Sequence, residues 1–380
     1  MRIVVAPDKF AGTLSAVEAA EAIITGWRRT APQDQFDLVP LADGGPGFLD
    51  VLQASLGGEL IAATVTGPLR TAVPGTVLVV GTTAYIESAQ ACGLHLVPAD
   101  NRDPSVTTTY GVGELIAVAV ATGATEVIIG LGGSGTNDGG AGLLAALGAT
   151  AQDAAGQDVT DLLAGGGLGL RQIAAVDLSA ARAAVHGVRL VAASDVDNPL
   201  LGLRGATNGF GPQKGATVAQ IMALEGSLES FSKAIGRVSG KDPAVQLGSG
   251  AAGGMGYALL VLGAARAAGI GSVLAAVGLA DLIATADVVI TGEGCFDWQS
   301  LRGKVVAGVA ALALEQARPC VVLAGRVEVG RREYAASGVS GCYAVVDDLL
   351  SRGLPEQAAF DHPADRLADL AERAARTWSR

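Results

Sequence analysis

Short apolar runs alternate along the chain with segments in which apolar residues recur at helical spacing. Apolar runs of strand length lie at 3–6, 39–42, 188–193, 287–292, 320–325 and 342–347. Ser15 and Glu18 form a capping box, which predicts an amphipathic helix that begins there and extends to about Arg28. Strands that alternate with helices are typical of a mostly parallel sheet with crossover helices. The pattern therefore predicts an α/β fold.

The pattern changes between residues 61 and 86, where β-branched runs are interrupted by Gly67-Pro68, Pro74-Gly75 and Gly81. Such interruptions are typical of β-hairpins. The strands near the carboxyl end resemble the opening strand and helix more than they resemble this middle part. We therefore predict one domain from residues 1–60 and 281–380, with residues 61–280 inserted as a second α/β domain that carries a glycine-rich loop.

That loop lies in the segment 128–147, IIGLGGSGTNDGGAGLLAAL, between an apolar strand and an apolar helix. Glycine lets backbone N–H groups approach phosphate oxygens, and a helix start adds positive potential. Residues 134–138 add two hydroxyls, an amide and a carboxylate, which the glycine-rich composition does not explain. The segment favours a phosphate site, and a simple helix cap at Asn137 or Asp138 is the alternative.

Gly130, Gly132 and Gly135 also match the G-x-G-x-x-G fingerprint, which makes an NAD(P)-dependent oxidoreductase of a small hydroxy acid a second hypothesis. With 54 glycines in 380 residues, this match carries little weight. The fingerprint also needs an acidic residue at the end of the next strand, whereas Asp153 and Asp158 lie in a polar stretch after the helix. A third hypothesis is a non-catalytic metabolite-binding protein on the same scaffold.

Composition restricts the partners. No apolar stretch of membrane-spanning length is free of charges or glycine clusters, and residues 1–5 lack a signal-peptide pattern. The net charge of −11 argues against nucleic acid or an anionic membrane as partner. Scattered cysteines without paired spacing are typical of reduced thiols. We expect a soluble, cytoplasmic monomer or homodimer that binds small molecules.

Charged residues concentrate in loops. The acids that follow predicted strands are Asp8, Asp43, Asp195 and Glu293. Ligands of doubly wound sheets lie at the carboxyl ends of strands, and several acids together fit a Mg²⁺–nucleotide site, although one alone is often a turn residue. The lysines in loops rich in glycine, proline or acidic residues are Lys9, Lys214 and Lys304. A compact ammonium in such a loop suits phosphate.

Six motifs occur in order along the chain. They are APDKFAGTLSA at 6–16, PLADGG at 40–45, GLGGSGTNDGGAG at 130–142, DVDNPL at 195–200, FGPQKGA at 210–216 and ITGEG at 290–294. This series resembles the bacterial glycerate kinases of the type that includes glycerate 2-kinase. The resemblance implies two α/β domains, one of them Rossmann-like, with the active site between them. It also implies ATP- and Mg²⁺-dependent phosphorylation of D-glycerate, favouring 2-phosphoglycerate over 3-phosphoglycerate, or of a related hydroxy acid.

The resemblance also guides the roles that we assign to individual residues. Asp195 is the leading candidate for general base because it follows a strand and has Asn198 nearby, and a cap of the Asn198-Pro199 turn is its alternative role. Asp297 is the next candidate for the base, with Lys304 as a third catalytic residue. Substrate contacts are assigned to Asp8, Lys9, Asn198 and Arg302. Nucleotide and phosphate contacts are assigned to Gly132, Gly133, Ser134, Asn137, Asp138, Gln213 and Lys214. Metal ligation is assigned to Asp43 and Glu293.

The chain departs from the family pattern in three places. Family members usually carry serine at the place of Lys9 and lysine at the place of Ala11, so a positive charge has moved within one loop. Pro46 replaces the usual acidic residue after the Asp-Gly-Gly turn, and Cys295 replaces the usual arginine after Gly-Glu-Gly. These changes bear on substrate preference.

Overall fold

The computed structural model describes residues 1–10, 12–239, 242–301 and 303–379, and the chain forms two units. Unit 1 comprises Met1–Asp43, Asp50–Gly57 and Ile270–Arg380; unit 2 comprises Gly44–Leu49 and Gly58–Gly269. The sequence predicts domain boundaries at 60/61 and 280/281, and the chain changes unit nearby, at 57/58 and 269/270. It also changes unit on either side of the short segment Gly44–Leu49.

Strands and helices alternate through most of the described residues. The strands are β1 (Arg2–Val5), β2 (Gln35–Leu38), β3 (Glu59–Thr66), β4 (Ala72–Val80), β5 (Thr83–Glu87), β6 (Glu126–Gly130), β7 (Thr150–Gln152), β8 (Ala175–Asp177), β9 (Arg189–Ala193), β10 (Ala265–Ala267), β11 (Val288–Thr291), β12 (Cys295–Phe296), β13 (Cys320–Ala324), β14 (Arg326–Val327) and β15 (Val339–Ala344). The helices are α1 (Ala16–Thr30), α2 (Phe48–Leu56), α3 (Ala89–Cys92), α4 (Tyr110–Ala121), α5 (Ala141–Ala146), α6 (Asp161–Ala164), α7 (Ser179–Ala184), α8 (Ala206–Phe210), α9 (Val218–Ser239), α10 (Ala251–Val261), α11 (Gly269–Ala276), α12 (Leu279–Ala284), α13 (Val305–Glu315), α14 (Arg331–Ala336), α15 (Val345–Ser351) and α16 (Pro363–Trp378).

Unit 1 is built on a parallel sheet with the strand order β15-β13-β11-β1-β2. Its three central strands, β13, β11 and β1, are almost entirely apolar and buried, as expected for strands covered on both faces. The predicted capping box at Ser15 and Glu18 is confirmed at the start of α1. Helices α1 and α16 pack against one face of the sheet, where Trp27 and Leu370 join the core.

Two strand predictions in unit 1 are wrong. Residues 39–42 lie after β2, although the Val39 and Leu41 N–H groups still donate to the Val5 and Pro7 carbonyl oxygens. Residues 345–347 lie in α15, which begins directly after β15. The apolar run continues across that junction because both elements bury their side chains there, so hydrophobicity alone does not mark the boundary.

Unit 2 contains a mixed sheet with the strand order β10-β9-β6-β5-β4-β3. Strands β5, β6, β9 and β10 are parallel, whereas β3, β4 and β5 pair antiparallel, which confirms the hairpins predicted for residues 61–86. The α/β fold class is confirmed, with a parallel sheet in unit 1 and a mixed sheet in unit 2. None of the helices that the structure describes is long and apolar enough to cross a bilayer.

Candidate functional site

A cavity of about 450 Å³ in unit 1 brings together several of the predicted site residues. Asp8 follows β1 and Glu293 follows β11, and these two strands are parallel neighbours, so both acids leave the sheet at the same edge. A backbone hydrogen bond of 2.8 Å from the Asp8 N–H to the Gly292 carbonyl oxygen joins the two loops. The charged residues that line the cavity are Asp8, Lys9, Asp43, Glu293, Asp297, Lys304 and Arg326.

The acids in this cavity are electrostatically coupled. Asp8 and Glu293 are each only 8% exposed. Burial, and secondly the Asp43 charge, raise the pKa of Asp8 to about 6. Burial raises the pKa of Glu293 to about 7, and the charges of Asp8 and Asp297 add to that effect while Lys304 opposes it. A cation in this cavity would relieve the repulsion between these carboxylates.

The donor atoms present fit a magnesium ion. Glu293 Oε1 is buried without a hydrogen-bond partner, and Asp43 lines the same cavity. Across the described ranges, no group of three histidine, cysteine or acidic side chains could enclose a metal ion. Mg²⁺ usually takes one or two protein carboxylates and completes its shell with water and substrate phosphate oxygens. The assignment of Asp43 and Glu293 to the metal suits that coordination and stays a prediction.

Asp297 and Lys304 occupy the same stretch of unit 1. Asp297 Oδ1 accepts hydrogen bonds from the backbone N–H groups of Gln299 and Ser300, at 2.7 and 3.1 Å, so the carboxylate also holds its own turn. Lys304 is the residue before the first turn of α13. The predicted substrate residue Arg302 lies outside the described residues.

The glycine-rich loop of unit 2 runs from the end of β6 to α5, as the sequence predicts. Here the glycines serve close backbone packing. A Cβ on Gly132 would lie 2.4 Å from Gly45 Cα, and one on Gly130 would lie 2.6 Å from the Gly44 carbonyl oxygen. The Asp-Gly-Gly turn and the glycine-rich loop therefore fit together only because both are free of side chains at these points.

Lys214 is a buried cation that contacts this loop from the 3₁₀ turn Pro212–Lys214. Its Nζ donates to Ser134 Oγ at 2.9 Å and to the Thr136 carbonyl oxygen at 2.7 Å, and the residue is 3% exposed. Burial lowers the pKa of Lys214 to about 8. A cavity of about 320 Å³ is lined by five of the predicted phosphate residues, Gly132, Gly133, Ser134, Gln213 and Lys214.

The other two predicted phosphate residues, Asn137 and Asp138, are fully buried and make hydrogen bonds within unit 2. Asp138 accepts hydrogen bonds from the Thr109 N–H and hydroxyl and from the N–H groups of Gly140 and Gly142. Its carboxylate thus caps the first turn of α5, which is the helix-cap alternative raised by the sequence. Asn137 Nδ2 donates to Thr207 Oγ1 at 2.8 Å. A nucleotide contact for either residue stays a prediction.

Asp195 and Asn198 lie in the loop after β9, also in unit 2. Asp195 is exposed to solvent. Asn198 Nδ2 donates to the Arg204 carbonyl oxygen at 2.6 Å, so its amide stabilises its own loop. The roles of Asp195 as general base and of Asn198 in substrate binding stay predictions.

Sequence reasoning missed Glu87, a buried acid that positions the Asp-Gly-Gly turn. Its carboxylate accepts hydrogen bonds from the Gly47 N–H at 3.0 Å and the Leu49 N–H at 3.4 Å. Next to it, Ser88 Oγ donates to the Gly130 carbonyl oxygen at 2.7 Å. An acidic residue at the carboxyl end of the largely apolar strand β5 is a signal that sequence reading could have used.

Comparison with known proteins decides the family. The glycerate kinase family profile matches residues 3–379, almost the whole chain. The chain belongs to the glycerate kinase family. Glycerate kinase from Bacillus subtilis (strain 168) is 41% identical, over 99% of this chain and 96% of the relative. Glycerate 2-kinase from Escherichia coli (strain K12) is 41% identical, over 95% of each.

A solved structure agrees with this assignment. It comes from Salmonella typhimurium LT2, and its protein is provisionally assigned as glycerate kinase 2. It superimposes with a TM-score of 0.84 at 39% identity, and the match covers 99% of this chain and 98% of that chain. This member of the glycerate kinase family is an enzyme, and the oxidoreductase hypothesis gains no support. The Asp153 and Asp158 carboxylates accept hydrogen bonds from backbone N–H groups within their own turns.

The three departures from the glycerate kinase pattern fall at or near the two cavities. Lys9 and Cys295 line the unit 1 cavity, so the lysine at position 9 of this chain brings a positive charge to the cavity. Ala11, the usual lysine position, lies outside the described residues. Pro46 packs against Gly133 of unit 2, where an added Cβ would meet the proline ring at 2.7 Å.

Proposed function

We propose that this glycerate kinase family member transfers the γ-phosphoryl group of ATP to D-glycerate and releases 2-phosphoglycerate and ADP. The observation that carries the proposal is the unit 1 cavity, where four carboxylates lie with Lys9 and Lys304. Phosphoryl transfer depends on neutralising and positioning phosphate oxygens, and this set of charges suits both tasks. The Escherichia coli relative named glycerate 2-kinase supports the choice of the 2-hydroxyl.

In unit 1, Asp8, Lys9 and Arg302 would contact the substrate, and Lys9 and Arg302 would bind its anionic groups. Asp43 and Glu293 would hold Mg²⁺, which supplies charge neutralisation at the phosphate oxygens when bound. Lys304 would stabilise negative charge on the phosphoryl group during transfer. The ammonium suits this role because it is a compact point charge.

In unit 2, the glycine-rich loop and Lys214 would bind phosphate oxygens, with Gln213 beside them. Asn198 would contact the substrate. Asp195 would accept the proton of the attacking hydroxyl, and Asp297 of unit 1 is the next candidate for that step.

The test is ADP release by the purified enzyme, measured by a coupled assay with D-glycerate and Mg²⁺ present or omitted in turn. We expect ADP release only when both are present. Phosphorus NMR of the product reads the regiochemistry directly: phosphate on the 2-hydroxyl couples to one carbinol proton and gives a doublet, whereas phosphate on the 3-hydroxyl couples to two and gives a triplet. Equal ADP release without glycerate would contradict the activity, and a triplet would contradict the 2-hydroxyl.

A further inference from the structure

The unit 1 cavity has an apolar side that glycerate has no group to cover. The apolar residues that line this side are Phe10, Leu14, Val345, Val346, Phe360 and Pro363. At about 450 Å³, the cavity is in the size range of sites that enclose much larger ligands than a three-carbon acid. Pockets of this kind combine an apolar wall with a few polar groups that fix orientation.

Phe360 is held in this wall by the chain around it. It follows the 3₁₀ turn Glu356–Ala359, which Arg326 anchors through a 2.6 Å bond from its Nη2 to Glu356 Oε2. His362 then adopts a left-handed conformation, with φ of 56°, before α16 begins at Pro363. Phe360 is nonetheless 59% exposed, so a large part of its ring remains available to a ligand.

We infer that this apolar side binds the nucleoside of ATP, with the purine base against Phe360, while the phosphate chain extends toward Lys304. This rests on the proposed use of ATP. A purine is a flat, largely apolar group that aromatic rings bind by stacking. ATP joins such a group to an anionic chain, which matches one apolar and one charged side within a single cavity.

The unit 2 cavity is the competing place for the base, because Phe210 lines it. It is smaller, at about 320 Å³, and the glycine-rich loop, Gln213 and Lys214 line it together with the apolar residues Leu94, Val196, Phe210 and Ala252. A glycine loop and a buried ammonium suit phosphate oxygens rather than a base. The nucleoside is therefore assigned to unit 1.

Calorimetric titration tests the assignment without turnover, using the full chain with ADP and with inorganic pyrophosphate, which lacks the base. We expect Phe360→Ala to weaken ADP binding about fivefold to twentyfold, the scale of losing one base–aromatic contact at a half-exposed ring, and to leave pyrophosphate affinity within twofold. Phe210→Ala should leave ADP affinity within twofold. Leu350→Ala, which removes an exposed apolar side chain from α15 outside the cavity, is the control for packing.

Each outcome decides the question. Unchanged ADP affinity in Phe360→Ala, an equal loss for ADP and pyrophosphate, or a larger effect of Phe210→Ala would overturn the assignment. Failure of the proposed function is distinguishable, because the unmodified enzyme would then show no glycerate-dependent ADP release. Under the inference, the steady-state KM for ATP rises in Phe360→Ala whereas the KM for glycerate does not.

Discussion

Lys214 Nζ lies 2.9 Å from Ser134 Oγ, and both side chains are buried in unit 2. The residues are 80 positions apart in sequence, so this bond ties the Gly-Pro-Gln-Lys-Gly loop to the glycine-rich loop. A second bond, to the Thr136 carbonyl oxygen, fixes the backbone of the same loop. A buried ammonium destabilises a protein unless its N–H groups find hydrogen-bond acceptors. For Lys214, the glycine-rich loop supplies two such acceptors.

Lys214→Met should lower kcat/KM for ATP by one to two orders of magnitude. The substitution removes a charge-assisted contact to phosphate and also the anchor of Ser134. Lys233→Met is the matched control, because Lys233 is an exposed lysine of the same unit that pairs with Glu229 at 2.6 Å. Steady-state kinetics of the two variants side by side make the comparison. If Lys214→Met and Lys233→Met both have near-native kinetics, Lys214 has only a structural role.

Asp138→Asn should destabilise unit 2 by at least about 2 kcal/mol, since several buried donors lose a carboxylate acceptor and an amide group faces them instead. Asp158→Asn is the control, because Asp158 is an exposed acid that accepts a hydrogen bond from the Thr160 N–H in its own turn. Thermal and urea unfolding measure the difference. A native Tm combined with weakened ATP binding would instead make Asp138 a nucleotide ligand.

Glu293→Gln should stabilise the Mg²⁺-free protein at pH 8, and the gain should shrink as the pH falls. The folded pKa of Glu293 is raised from 4.5 to about 7, so the native state binds more protons than the unfolded chain between these values. Stability of the unmodified protein therefore falls as pH rises through this window, by up to about 3 kcal/mol from this group. Above about pH 7, the loss of stability caused by the ionised Glu293 carboxylate no longer increases.

Tm measured in EDTA from pH 4.5 to 8 tests this. The gap between Glu293→Gln and the unmodified protein should open as pH rises and then level off. Glu21→Gln, which removes an exposed carboxylate from α1, measures the background effect of one lost negative charge. A gap that is constant with pH would show that Glu293 does not titrate in this range. Added Mg²⁺ should reduce the gap if Glu293 is a ligand.

Local signals made much of the fold predictable. The Ser15 and Glu18 capping box depends on four consecutive residues, so the sequence carries it in full. The β-branched runs between residues 61 and 86 predicted hairpins because their turn residues lie beside them. The prediction at 39–42 is wrong because the strand beside it, Gln35–Leu38, is a partly exposed edge strand with two polar residues, which a search for apolar runs passes over.

The site was less predictable because its contacts are distant in sequence. Asp138 is a residue type that suits both a cap and a phosphate site, and its structural partner Thr109 lies 29 positions away. The Glu87 bond to the Gly47 N–H spans 40 positions, so no local pattern shows which backbone group this acid binds. Residue types and their order predict which side chains bear chemistry, whereas tertiary packing decides which of them form structural hydrogen bonds.

Asp195→Asn tests the leading candidate for general base. Asparagine keeps the size and most of the hydrogen bonding of aspartate but does not accept a proton at neutral pH. We expect kcat to fall 10²- to 10⁴-fold, the usual contribution of a general base, with Tm and the KM for glycerate near their native values. Loss of a turn cap would instead cost about 1 kcal/mol of stability and little turnover, so the two roles give separate results.

Asp297→Asn is the matched variant, because Asp297 Oδ1 accepts the backbone N–H groups of Gln299 and Ser300 and an asparagine oxygen is able to do the same. If Asp195 is the base, Asp297→Asn should reduce kcat less than tenfold. A kcat for Asp195→Asn within fivefold of the native value, together with a large loss in Asp297→Asn, would move the proton transfer to unit 1. That site holds the carboxylates of raised pKa, Asp8 and Glu293, beside Lys304.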